Sequence, residues 1–193
     1  MNQLSVTNWL CDIPQSRNKS YLVSAIIFLS VFTIGSEINM TEQEAQMLVG
    51  EFESQFIGIG WEDIFLHNLG LSFGMFVPFI GFIWAPTTAL MTGIAFSAYT
   101  IISPDVINFS PLWLFVTPFG MMELAAYSIA MGSSIQLTAA IINMRKTKQV
   151  PVMKIFVKTL LIRLSIITIL LLIGGFIEYE ILENMEEIMG VLQ

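Results

Sequence analysis

Apolar residues in this chain come in membrane-length runs separated by short polar or charged segments, not in the short alternating patches of a water-soluble globule. Several runs approach or exceed the ~20 residues a helix needs to cross hydrocarbon. The first, Tyr21 to Gly35, follows a polar segment, 1–20, that carries Arg17 and Lys19. It reads as a somewhat short first span and not as a secretory signal. Residues 36–63 then turn polar and acidic. Within them Thr41 and Glu44 have the spacing of a capping box, and Ala45, Leu48, Val49, Phe52 and Phe56 recur at helical spacing. That pattern predicts an amphipathic helix lying on the membrane surface or against the bundle.

A second span is expected from Ile64 to Trp84, a tight turn at Ala85-Pro86-Thr87, and a third span from Thr88 to Ile102. The second span holds His67, Asn68, Gly70, Gly74, Pro78 and Gly81 at depths where lipid offers polar or small residues nothing, so they are expected at helix interfaces. Gly70 and Gly74 form a G-x-x-x-G pair, and Pro78 should kink the span. Thr92-Gly93 and Ser97 give the third span a thin face. Turn residues from Ser103 to Pro111 return the chain. The run from Leu112 to Met144 is too long for one straight crossing, so Pro118 should divide it into a short segment, 112–117, and a fourth span from Phe119 to Met144. A fifth span is expected from Ile155 to Ile177, with residues 178–193 as an external acidic tail.

Charge orients these elements. The net charge is −7, but the signs are segregated: basic residues occur only at Arg17, Lys19, Arg145, Lys146, Lys148, Lys154, Lys158 and Arg163, and acids crowd residues 37–63 and 178–187. By the positive-inside rule this places the N-terminus in the cytoplasm and the C-terminus outside, in a multi-pass protein of the cell membrane. With 55% hydrophobic and 12% charged residues, the expected class is an all-α, polytopic transmembrane helical bundle of about five spans with an external amphipathic helix and a four-span core over residues 64–177. The single cysteine, Cys11, excludes an intrachain disulfide. No basic patch with interleaved aromatics points to nucleic acid.

The chemistry-bearing residue is Glu123, the one acid in the apolar run Thr117–Gly132. A charged side chain at mid-bilayer costs about 2.5–3.5 kcal/mol on insertion scales, so it should face the bundle interior. Asn68, His67 and Thr92 are its expected partners in an intramembrane polar cluster. Gly70, Gly74, Gly81, Gly93 and Gly120 are the expected helix-packing positions. Arg163, about two turns into the fifth span, also needs a partner or a watery vestibule. His67, the only histidine, has no second ligand type near it in sequence, so no metal site and no cofactor are expected. Paired carboxylates and a nucleophile–base pair are not evident, so no enzyme is expected.

These same residues, His67-Asn68, Gly74, Gly81, Thr92-Gly93, and Pro118-Phe119-Gly120 with Glu123-Leu124-Ala125, resemble the pattern of the stage II sporulation protein M family, integral membrane proteins of bacteria and archaea. That pattern has paired asparagines, spaced glycines, an asparagine–glycine pair, and a proline–histidine–glycine followed by a glutamate. The resemblance covers roughly residues 62–145 and points to an archaeal member. His67, Thr92 and Phe119 depart from it. It implies a scaffold or accessory subunit that packs against and positions other integral membrane or envelope proteins, with membrane lipids around it and homo-oligomers also allowed. The alternative is an ion or small-solute transporter subunit using Glu123.

Overall fold

The computed structural model describes residues 4–56, 60–103, 110–147 and 153–191. The order is α1 (Leu4–Ser36), α2 (Glu42–Phe56), α3 (Trp61–Phe76), α4 (Gly81–Ile102), a 3-10 segment (Pro111–Val116), α5 (Pro118–Thr147) and α6 (Met153–Val191). Among the described residues there is no strand. Among the described residues four helices are long and apolar enough to cross a membrane: α1 over Asn18–Ser36, α4 over Gly81–Ile102, α5 over Pro118–Ile142 and α6 over Leu160–Asn184. At 16 residues, α3 is shorter, about 24 Å.

The bundle is built around α5, half of whose span is buried, against about a quarter for the other three candidates. It touches α1, α3, α4, α6 and the 3-10 segment. Contacts fix the directions. Phe28 meets Tyr127 and Phe32 meets Phe115, and Tyr21 lies against Gly132, so α1 runs antiparallel to α5. Asn68 bonds to Glu123 and Ser134 to Val77, so α3 runs parallel to α5. Ser133 bonds to Arg163 while Met122 lies against Gly174, so α6 is antiparallel to it. Gly35 and Gly93 abut, and Ser97 donates to the Ile38 carbonyl, so α1 and α4 are parallel. Successive bundle helices α1, α3, α4, α5 and α6 therefore alternate in direction.

The reversal between α3 and α4 falls at Val77–Ile80 and not at residues 85–87, where the sequence pattern put it. Pro78 is the cause. The residue before a proline is pushed to extended backbone, and Val77 has φ −66° and ψ 128°; Phe79 then takes a left-handed φ of 65°, closing the turn. Pro86 instead lies inside α4, as membrane helices tolerate. The divide at Pro118 stands where the sequence put it. At the two ends, residues expected to be a separate N-terminal segment and a tail are continuous with the helices: α1 begins at Leu4 and α6 runs to Val191, about 58 Å at 1.5 Å per residue.

Outside the bundle, α2 starts on the expected capping box. The Thr41 N–H and hydroxyl both donate to Glu44 Oε2 at 2.8 Å, and the Glu44 N–H donates to Thr41 Oγ1 at 3.3 Å. These bonds, the backbone one foremost, hold the Glu44 carboxyl below its ordinary range. The apolar face of α2, Ala45, Leu48 and Val49, is laid on Ala98, Tyr99, Ile101 and Ile102 at the end of α4. Its other face, with Glu42, Gln43, Glu44, Gln46 and Met47, is exposed.

Close backbone approach occurs at the crossing of α1 and α4, where Gly93 lies against the Phe32 carbonyl and the Gly35 backbone. Gly70, by contrast, faces open space, so the Gly70–Gly74 pair is not a packing motif; only Gly74 is covered, by the Trp84 indole. Gly93→Leu should therefore force α1 from α4, costing at least the roughly 1–3 kcal/mol of overpacking, and Gly70→Leu should be near neutral. Thermal unfolding of the detergent-solubilised variants checks the contrast.

Candidate functional site

Helical spacing puts Asn68 and Ser72 on one face of α3 and Glu123 and Tyr127 on one face of α5, each pair four residues apart. Because α3 and α5 run parallel, these faces meet in register. Asn68 Nδ2 donates to Glu123 Oε1 at 2.6 Å. The Tyr127 hydroxyl donates to Asn68 Oδ1 at 3.0 Å. The amide is thereby held by one partner on each of its two ends, which fixes its orientation. From α6 comes the remaining member, Glu178, whose carboxyl lies beside that of Glu123. The result is a chain from Tyr127 through Asn68 to Glu123 and Glu178 that joins α3, α5 and α6. Glu178 Oε2, buried, ends the chain without a hydrogen-bond partner.

A second polar tie lies toward the opposite end of α5. Arg163 of α6 is buried, with Nη1 3.2 Å from Ser133 Oγ and Nη2 2.7 Å from Gln136 Oε1. Its guanidinium also stands over the Tyr21 ring of α1, 5.8 Å from the centroid, within cation–π range. Hydroxyl, amide and aromatic ring answer the need for a partner that the sequence raised for Arg163.

Two expected cluster members lie elsewhere. His67 points off the buried face of α3 and is exposed, because one residue's step along a helix turns the side chain by about 100°. Thr92 is also exposed and donates to the Thr88 carbonyl of its own helix at 2.9 Å, the common way a hydroxyl is satisfied inside a helix. Of the packing glycines, Gly81 lies against Met75 and Ser134, Gly93 against α1, and Gly120 against the Leu114 carbonyl. Tyr127 and Glu178 are not among the residues the sequence marks as site members. Tyr127 stands four residues after Glu123, the one signal for it; Glu178 follows directly on the apolar run Gly174-Gly175-Phe176-Ile177 and reads in the sequence as the start of the tail. Among the described residues no group of three or more His, Cys, Asp or Glu side chains could hold a metal ion.

A family model described as stage II sporulation protein M matches residues 21–179. The chain belongs to the stage II sporulation protein M family. The match runs from the start of the α1 span to the residue after Glu178, so both polar ties lie inside the region that defines the family, and the last turns of α6 lie beyond it. Neither a curated protein nor a solved structure matches the chain.

In this stage II sporulation protein M family member, replacing Asn68 by Leu leaves the Tyr127 hydroxyl and the Glu123 carboxyl without the amide between them. The expected loss is roughly 1–3 kcal/mol, the cost of stranding buried polar groups. Tyr127→Phe removes only the outermost donor and should cost about 0.5–1.5 kcal/mol. Unfolding of both variants in lipid nanodiscs measures the order.

Proposed function

We propose that this protein is a non-enzymatic membrane scaffold or accessory subunit of the cell envelope, packing against and positioning other integral membrane or envelope proteins. One observation supports the reading above the rest: Asn68, Glu123, Tyr127, Ser133, Gln136 and Arg163 are used to tie helices to one another. Such ties make a fixed platform. The exposed acidic face of α2 is the surface this platform would present to a soluble partner, and the exposed apolar flanks of α1, α4 and α6 are the faces open to lipid, to membrane partners or to a second copy. A second reading, an ion- or small-solute-transporting subunit, is supported by the neighbouring Glu123 and Glu178 carboxyls, since intramembrane acids are recurrent parts of proton relays.

We also propose that the N-terminus is cytoplasmic and the C-terminus external. The start of the α1 span, with Lys19, and the end of α5, with Arg145 and Lys146, lie at one end of the bundle, and α2 lies at the other, which favours this orientation by the positive-inside rule. With Cys11 replaced by serine, cysteines placed at Thr147 and Glu183 should react with an impermeant maleimide from opposite sides. Labelling from the same side defeats the orientation.

The function test is Glu123→Gln. Glutamine keeps the size and most of the hydrogen-bonding capacity of the acid but cannot titrate. Cross-linked co-purification from native membranes should be unchanged in this variant, and purified wild type in liposomes should carry no proton or cation flux above empty vesicles. A flux in wild type that Glu123→Gln abolishes would replace the scaffold by the transporter.

A further inference from the structure

The connection between α3 and α4 lies inside a long stretch without formal charge. No Asp, Glu, Lys or Arg occurs anywhere between Asp63 and Asp105, and the reversal itself, Val77-Pro78-Phe79-Ile80, is wholly apolar. Around it Val77, Phe79, Ile80, Phe82, Ile83 and Trp84 are all exposed, Ile83 by 63%. A water-facing turn would gather polar residues.

The depth of the turn follows from its contacts with α5. The Phe79 N–H donates to Thr138 Oγ1 at 2.8 Å, and Ser134 Oγ donates to the Val77 carbonyl at 2.7 Å. Thr138 lies seven residues before Arg145, about 10 Å along the helix axis. The polar zone between hydrocarbon and water is roughly 5–8 Å thick on each side. With the basic end of α5 at the water boundary, the turn stops at the edge of the hydrocarbon. Lys19 reaches a similar level on α1, as Tyr21 lies beside Gly132, and its long side chain can snorkel outward; no residue of the turn can do so.

Irregular backbone at such a depth persists only where protein satisfies its polar groups. Here α5 satisfies the Phe79 N–H and the Val77 carbonyl. Ser134 and Thr138, one helical turn apart on α5, clamp the turn from one side, and Gly81 N–H to Val77 O at 2.8 Å and Trp84 N–H to Ile80 O at 2.9 Å close it from within. In water these clamps would be redundant.

We infer that the α3–α4 hairpin is re-entrant. Its tip is seated in the leaflet on the Arg145 side, with Phe79, Ile80, Phe82 and Ile83 against lipid acyl chains. Both ends of the hairpin then lie on the α2 side of the membrane. The inference holds whichever way the bundle is oriented and whatever it binds.

The test uses the full chain in lipid vesicles, with Cys11→Ser and a single cysteine at Ile80 or at Ile83. Both positions are exposed, so either should fold, and one serves if the other does not. A cysteine at Thr147 is the aqueous control. The hairpin cysteines should react with an impermeant maleimide severalfold more slowly than Thr147→Cys, from both sides. A nitroxide attached to them should be reached by oxygen, which concentrates in hydrocarbon, and shielded from a water-soluble nickel chelate. Labelling as fast as at Thr147 would make the turn an aqueous loop and overturn the inference. Shielding from oxygen as well as from nickel would mean that protein, a partner or a second copy, covers the tip, and would overturn it equally.

Discussion

Hydrocarbon supplies no hydrogen bonds, so a polar group carried into it must find its partner in the protein. That constraint explains this bundle more fully than hydrophobicity does. Lone hydroxyls such as Ser24, Thr33, Ser128 and Thr168 turn back onto a carbonyl of their own helix. Groups that one helix cannot satisfy, the Glu123 carboxyl, the Asn68 amide and the Arg163 guanidinium, become the points at which helices are joined. The apolar residues, free of this demand, divide between the core, where Phe28, Phe32, Phe115 and Tyr127 stack, and outward faces that need no partner but lipid.

The central place of α5 follows. It carries Glu123 and Tyr127 toward one end of its span and Ser133, Ser134, Gln136 and Thr138 toward the other, so α3, α6 and the α3–α4 turn are each attached to it by polar contacts. Contact between α1 and α4 is of another kind. There, small residues let two backbones meet, and van der Waals packing takes the place of hydrogen bonds. The family to which the chain belongs is defined over this tied region, residues 21–179.

Much of this was legible in the sequence, for physical reasons that can be named. Length and hydropathy mark α1, α4, α5 and α6, because crossing a membrane needs an apolar run and little else. The capping box at Thr41 is local chemistry and was readable as such. Glu123 and Asn68 stood out because each is costly in lipid. What could not be read was azimuth. Whether His67 or Asn68 faces inward depends on a rotation of one residue about the α3 axis, which a nearly all-apolar helix does not reveal through amphipathicity. The same ambiguity hid Gly35 as a packing residue and made Gly70 look like one. In the sequence Pro78 reads as a kink and Pro86 as the turn, and only the left-handed backbone at Phe79 and the hydroxyls of α5 move the turn to the first.

If the polar side chains are ties between helices, Asn68 and Glu123 must be energetically coupled, and the most direct measurement is a double-mutant cycle on unfolding in a bilayer with Asn68→Leu and Glu123→Met. Each single change strands the other partner, whereas the double change replaces both with apolar groups of similar shape and should cost less than the sum of the two. The expected coupling is about 0.6–2 kcal/mol, the range of interhelical hydrogen bonds in membranes. Additivity within about 0.3–0.5 kcal/mol, as for sites that do not interact, would contradict the account.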